Sequence, residues 1–488
     1  MTDKQRLSTR ELCPDFSPMY LLERFCEISA IPRPSCGEGA IADYLCDFAA
    51  RRGLPYYRDA ENNVLITRVG NEAKPPVLLQ AHTDMVCEAA AGKHIDMTVE
   101  APHLRVEGDV LSADGTTLGA DDGAGVAMIL ALLDEEQDGS MPPLECLFTA
   151  NEECGMTGAA AFDYSRIRAR RVINLDCEKA GCAWVSCAGG AEFRLTLPTD
   201  RRRAAGTFLD VSLRGLAGGH SGTDIDRCRE NAVCCMAELL GQLYQTCPFC
   251  IADFCADGKH NAIPHSCTVR ICVYDEQQAK DILIRAFDER KRLFCREDRD
   301  AVLRIAKTKT ALRPSDTLSF RSSSRLIAAL RLLPSGVVSR FADGSGAPDS
   351  SCNPATVHIN PGSAVICGLA RASSALRMDE MLSRITLIGN ELGVQTDITG
   401  RYPGWEMTKN SPLQIAFLRC HAALLGTEGT IERVHAGLEC GILCTALGRD
   451  TDCISIGPEI NEIHTPREWM SLSGFAGCYR LLSALIKE

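Results

Sequence analysis

Three observations in the sequence predict an α/β fold, with a central mixed sheet, interrupted by an inserted α+β domain. Strand-length apolar runs alternate with helical patterns in the first part of the chain. The texture changes near residue 187, and the first pattern returns near residues 402–406. In order, GEGAIADYLCDFAARRG (37–53) has helical periodicity and closes on Gly53, a residue suited to a helix stop. NVLITRV (63–69), PVLLQAH (76–82), LECLFTA (144–150) and RVINLD (171–176) read as buried strands, and GAGVAMILALLDEEQ (123–137) as a helix between the second and third. Strands separated by helices make the sheet mainly parallel.

From residue 187 strict alternation is lost. EFRLTL (192–197) and TFLDVSLRG (207–215) lead into a helix near 224–245, where Ile225, Cys228, Ala232, Cys235 and Leu239 fall at helical spacing. A strand (CTVRICVY, 267–274) and a helix (276–293) follow. The stretch 300–400 repeats that flavour, with AVLRIAKT, a helix near 322–333, GSAVICGLARAS, a helix near 378–392 and GVQTDITG. After YPGWE (402–406), SPLQIAFLRCHAALLG reads as a helix, DCISIGP (452–458) as a buried strand, and the tail from Glu468 as a closing helix. The expected domains are 1–186 with 404–488, and an insert over 187–403.

Composition narrows the function. The chain has 488 residues, 45% hydrophobic, and 52 Lys+Arg against 64 Asp+Glu give a formal net charge of −12. That excludes a mainly disordered chain and argues against a nucleic-acid partner, which needs a basic stripe. The longest apolar stretches, such as VAMILALL (126–133), fall short of the roughly 18 residues of a membrane span, so no membrane partner is expected. The polar start MTDKQRLSTRELC shows no secretory leader. The 26 cysteines therefore point to a cytoplasmic chain with reduced thiols acting as small hydrophobes, Cys247-Pro-Phe-Cys250 included. Cys87, Cys154, Cys177 and Cys440 flank the motifs below and are expected to pack behind them.

Five motifs fall at the C-terminal ends of expected strands or just before a helix, where open α/β sheets hold ligands. In His82-Thr-Asp84, residues two apart point to one side, so an imidazole and a carboxylate share a site. Gly119-Ala-Asp121-Asp122-Gly123 precedes a helix, and one of its carboxylates can cap that helix or bridge two cations. Asn151-Glu152-Glu153 puts adjacent glutamates after a buried strand, which suits one metal ligand beside one general base. Leu175-Asp176 and Gly457-Pro458…His464-Thr-Pro466 complete the set. Histidine and carboxylate ligands without cysteine suit two divalent ions in a catalytic centre, zinc foremost and cobalt or manganese next.

In this order the motifs resemble the M20 group of di-zinc metallopeptidases, and more closely its aminoacyl-histidine dipeptidase branch. DGTTLGADDG (114–123), NAIP (261–264), YPGWE (402–406) and HAGLECG (435–441) carry the closer likeness. The resemblance implies a zinc-peptidase-like catalytic domain with an inserted lid. His82 and Asp176 would hold one metal, Glu153 and His464 the other, and Asp121 would bridge. Asp84 would orient His82, and Glu152 would be the general base. In the lid, His220 of Gly218-Gly-His-Ser-Gly222 would stabilise the oxyanion and Asn261 and Arg371 would hold the substrate, with Gly437 of the resumed segment as a further substrate contact. The family often has Asn where this chain has Asp122, which leaves two carboxylates for the bridge, with position favouring Asp121. The implied function is hydrolysis of dipeptides with a free C-terminus, Xaa-His among them, by a homodimer formed through the lid. An amidohydrolase of N-acyl amino acids and a non-catalytic metal-binding protein of the same fold are the alternatives.

Overall fold

A computed structural model of the chain describes residues 9–135, 139–308 and 317–488. It divides into two compact units. One runs up to Cys187 and resumes over Trp405–Arg433 and Leu438–Glu488; the other comprises Ala188–Gly404 and Val434–Gly437. The tetrapeptide Val434–Gly437 thus belongs with the inserted unit, not with the resumed α/β segment that the sequence suggests. Hydrogen bonds hold it there: Ala188 N donates to Ala436 O (2.9 Å), and His435 Nε2 lies 2.8 Å from Ser351 Oγ.

The first unit is built on an eight-stranded mixed sheet. Its order is Tyr56–Arg58, Val64–Arg68, Leu144–Thr149, Val77–His82, Arg171–Asn174, Asp452–Ser455, Cys182–Cys187, Thr430–Val434. The four strands from Leu144–Thr149 to Asp452–Ser455 pair in parallel, and Val64–Arg68 and Cys182–Cys187 pair with them antiparallel. Every residue of Val77–His82 and Leu144–Thr149 is buried, as strands covered on both faces require. The Ala120–Asp134 helix is buried from Ala120 to Leu133 and packs on Met19–Ser29 and Val77–His82. An apolar surface on all sides explains why it shows no helical stripe in the sequence. Residues 136 and 137 of the expected 123–137 helix lie outside the described residues. The closing helix begins at Leu472 rather than Glu468. A short strand, Trp469–Ser471, precedes it, and Ser471 caps it by accepting from Gly474 N.

The second unit carries an antiparallel nine-stranded sheet in which Thr207–Arg214, Cys267–Val273, Phe249–Ala256, Pro348–Asn360, Ser363–Ala372 and Gly189–Pro198 lie side by side. Burial alternates along Gly189–Pro198 and Thr207–Arg214, so one face is covered. Each unit has its own apolar core. The helix expected near 224–245 begins only at Ala232, because Asn231 caps it with its side chain and Cys228 adopts a left-handed φ of +56°. Ile225 and Cys228 are therefore outside the helix despite their spacing. All 26 cysteines are free thiols, and Cys247 ends this helix while Cys250 lies in the next strand. Among the described residues, no helix is long and apolar enough to cross a membrane.

Candidate active site

Parallel pairing aligns the C-terminal ends of three strands, and the loops leaving them carry the acidic and histidine motifs. His82 ends its own strand, opposite Thr149 in register; Glu152 and Glu153 follow Thr149, and Asp176 lies two residues past Asn174. Asp121 enters from the turn before the Ala120–Asp134 helix, in which Asp121 and Asp122 are not helical. His464 follows the Asp452–Ser455 strand and holds a left-handed φ of +59°, a strained setting for a residue with a Cβ.

The structure brings all the expected ligands together. His82 Nε2 lies 3.0 Å from Asp121 Oδ1 and 3.9 Å from Asp176 Oδ1. His464 Nε2 lies 3.1 Å from Asp121 Oδ2 and 2.8 Å from Glu153 Oε1. The two groups His82/Asp121/Asp176 and Asp121/Glu153/His464 each present ligand atoms within 4.8 Å of one another, and they share Asp121. Asp122 has other work. Its carboxylate accepts from His82 N (3.2 Å) and from Gly125 N (3.0 Å), so it caps the helix while Asp121 faces both imidazoles. Gly125 must lack a Cβ, which would come 2.4 Å from Asp122 Oδ1.

Charge tests whether this set suits cations. Burial, reinforced by neighbouring carboxylates, pushes Asp176 and Glu152 well above the usual carboxylate range. Burial also opposes an imidazolium at His82, yet Asp121 and Asp84 outweigh it and raise the group well above its ordinary value. At His464, Asp121 and Glu153 likewise overcome burial and raise the ring to about 11. Crowded, buried acids that draw protons onto two imidazoles fit a site built for positive charge, and oxygen and nitrogen donors without sulfur fit divalent metals. Cys154 is exposed, so it does not pack behind the site as expected, whereas Cys177 and Cys440 are buried and Cys87 is half-buried.

Asp84 does more than face His82. Its backbone carbonyl lies 3.1 Å from His82 Nδ1 and its carboxylate 3.5 Å. The carboxylate also accepts from Glu152 N (3.0 Å), Glu153 N (3.2 Å) and Ser35 Oγ (2.8 Å), which fixes the turn carrying both glutamates. Two supporting residues escape sequence reading. Buried Arg33 donates to the carbonyls of Thr83, Asp84 and Gly119. Buried Glu468 accepts from the backbone N–H groups of Leu118 (2.8 Å), Gly119 (3.1 Å), Ala120 (2.8 Å) and Asp121 (3.4 Å). Neither stands in a motif; a lone charge in a loop gives no signal until the fold buries it.

In the second unit, Arg371 is buried and its Nη1 donates to Tyr402 Oη (3.2 Å). Its Nη2 lies 3.3 Å from His220 Nε2. His220 Nδ1 lies 3.2 Å from both Thr223 N and Thr223 Oγ1, and with its hydrogen on Nδ1 the neutral ring accepts from Arg371 at Nε2. Gly437 packs under the Tyr402 ring, where a Cβ would come within 2.9 Å. Asn261 is exposed, and its carbonyl accepts from Ser221 N (2.7 Å). A further convergence of Cys255, Asp257 and His358 lies at the surface of this unit, with the Asp257 side chain 79% exposed.

Similarity to known proteins agrees with this geometry. The chain is 32% identical over 482 residues to the cytosol non-specific dipeptidase of Escherichia coli (strain K12), covering 97% of this chain and 98% of the relative. The solved aminoacylhistidine dipeptidase from Vibrio alginolyticus superposes with a TM-score of 0.86 at 28% identity, covering 97% of each chain. The aminopeptidase PepT from Bacillus cereus shares the fold at a TM-score of 0.54 and 15% identity. Residues 78–488, which hold every proposed ligand, match the family described as peptidase family M20/M25/M40, and the chain belongs to that family.

Proposed function

We propose that this chain is a metal-dependent dipeptidase that cleaves small peptides with a free C-terminus, Xaa-His among them. The observation that carries the reading is a pair of ligand groups sharing Asp121, with a further half-buried carboxylate, Glu152, beside them. The family is metal-dependent, and the Escherichia coli and Vibrio alginolyticus relatives are named as dipeptidases. His82 and Asp176 would hold one ion, Glu153 and His464 the other, and Asp121 both, with zinc the proposed metal. When bound, such ions polarise the scissile carbonyl and lower the pKa of water.

The chain's own residues do the rest. Glu152 takes a proton from the attacking water on its carboxylate and returns it to the leaving amine. Desolvation and the neighbouring Glu153 and Glu439 carboxylates raise the proton affinity of Glu152, which favours uptake of that proton. Asp84 keeps Glu152 and Glu153 in register by accepting from both of their backbone N–H groups. The Arg371 guanidinium suits a peptide's terminal carboxylate, and a His220 ring carrying its hydrogen on Nε2 would suit an oxyanion. Asn261 and Gly437 complete the proposed substrate contacts. The family resemblance and the relatives' names support a cytoplasmic enzyme, and the resemblance supports a homodimer formed through the second unit.

The test is Glu152→Gln in the metal-loaded chain, assayed on a dipeptide panel that includes β-alanyl-histidine and on N-acetyl amino acids. Metal content is expected to stay at two ions while kcat falls about 10²–10⁴-fold. Undiminished turnover by the variant removes Glu152 from its role. Wild-type activity confined to N-acetyl amino acids makes the chain an amidohydrolase instead.

A further inference from the structure

Behind the ligand cluster lies a second polar layer that the mechanism does not use. Gln80, Thr149 and Asn174 are wholly buried, and each sits on a different one of three adjacent parallel strands. Gln80 precedes His82 by two residues, Asn174 precedes Asp176 by two, and Thr149 precedes Glu152 by three. Gln80 and Asn174 are register partners, as are His82 and Thr149. A polar layer so placed lies directly behind the chain ends that carry the ligands.

One buried carboxyl group ties this layer together. Glu439 immediately precedes the Cys440–Leu447 helix, and its Oε2 accepts from Gln80 Nε2 (2.5 Å) and from Thr149 Oγ1 (2.6 Å). Gln80 Nε2 also donates to Thr149 Oγ1 (3.0 Å), and Gln80 Oε1 accepts from Asn174 Nδ2 (2.7 Å). Asn174 Oδ1 in turn accepts from the backbone N of Asp176 (3.3 Å). The chain of bonds therefore runs from Glu439 to the peptide that carries a proposed ligand. Glu439 Oε1 is buried with no hydrogen-bond partner. Keeping an acid there is costly, because burying a polar group without full pairing loses its hydration. Burial pushes the group up to about 7, and the groups bonded to it are neutral. Packing alone would be served by an apolar side chain.

We propose that Glu439 is a positioning residue for the metal centre. Its Oε2 is the common acceptor that holds Gln80 and Thr149, and through Gln80 also Asn174, at the spacing that His82, Glu152, Glu153 and Asp176 require. The inference rests on the reading of those residues as ligands and general base. Removing the acceptor leaves Gln80 Nε2 and Thr149 Oγ1 to find new partners, and three strand ends lose a shared restraint. Residues that orient metal ligands from behind change metal affinity by about 10–100-fold when lost.

The experiment is zinc binding by the full chain, measured by competition with a chromophoric chelator and so independent of turnover. Glu439→Ala is expected to weaken binding about 10–100-fold. Glu439→Gln keeps an acceptor oxygen for both donors and is expected to stay within about threefold of the parent. If Glu439→Ala does not fold, Thr149→Val removes one link with little change of shape and is expected to weaken binding about 3–10-fold. Parental affinity in Glu439→Ala, or in Thr149→Val where that variant stands in for it, overturns the proposal. So does a loss in Glu439→Gln as large as in Glu439→Ala. If the parent chain itself binds no zinc, the ligand reading fails and takes this inference with it. A parent that binds two ions beside unaffected variants sinks the positioning role alone.

Discussion

At the scale of single residues, the site depends on side chains that hold backbone rather than ligands. Glu468 is the clearest case, since one buried carboxylate gathers four N–H groups at the turn that delivers Asp121. Each buried donor left unmet costs about 1–3 kcal/mol, although local rearrangement recovers part of that. Glu468→Ala should therefore lower stability by about 3 kcal/mol. Urea unfolding checks this, and an unchanged midpoint would show that water or a backbone shift replaces the carboxylate. Arg33 grips the opposite side of the same turn through Gly119 O, where Gly119 has a left-handed φ of +71°. The motif residues His82, Asp121 and Glu153 stand out in the sequence because their types suit metal binding. Arg33, Glu439 and Glu468 do not, because a charged residue acquires its structural meaning from burial and partners far away in the chain.

At the scale of elements, caps decide where helices begin. Asn231 Oδ1 accepts from Val233 N (2.9 Å) and Cys234 N (3.1 Å), while its Nδ2 donates to Asn353 Oδ1 (3.0 Å) and Pro354 O (2.8 Å). The cap thus also fastens the Ala232–Thr246 helix to the Pro348–Asn360 strand. Asn231→Ala should cost about 2 kcal/mol, for a lost cap and two lost tertiary bonds, and Asn231→Ser should cost less because its hydroxyl can keep the cap. Chemical denaturation of the three proteins measures the order, and equal midpoints for Asn231→Ala and the parent would refute it. Apolar spacing alone extends the helix back to 224, since Ile225 and Cys228 fit its stripe. The left-handed turn at Cys228 breaks it, and periodicity carries no information about that turn. Strands read better. NVLITRV, PVLLQAH and LECLFTA overlap Val64–Arg68, Val77–His82 and Leu144–Thr149, because a strand buried on both faces is a continuous apolar run.

At the scale of the whole molecule, each unit has its own core, and the second unit adds a pH dependence of its own. Burial, followed by the Arg371 charge, lowers His435 to about 3, with Asp349 opposing the shift and His220 adding to it. The unfolded imidazole titrates near 6.5, so below that pH the unfolded state binds a proton that the folded state refuses. The stability held by neutral His435 is complete above about pH 6.5. It is lost as pH falls toward 3, at up to about 1.4 kcal/mol per pH unit. His435→Gln should flatten that limb of the stability curve, and an equally steep limb in the variant would exclude His435 as its source. What the sequence determined by itself was the set of groups: two histidines and several acids at strand ends, in an order that marks the family, within an α/β frame and an insert. Residue types and strand-length apolar runs are local properties, so they survive without coordinates. Tertiary structure alone decided that Asp121 rather than Asp122 faces both imidazoles, and that Val434–Gly437 joins the second unit. It also decided that Glu439 and Glu468 stand behind the ligands. These outcomes depend on which distant segments share a buried hydrogen bond, and such pairings exist only once the strands have been laid side by side.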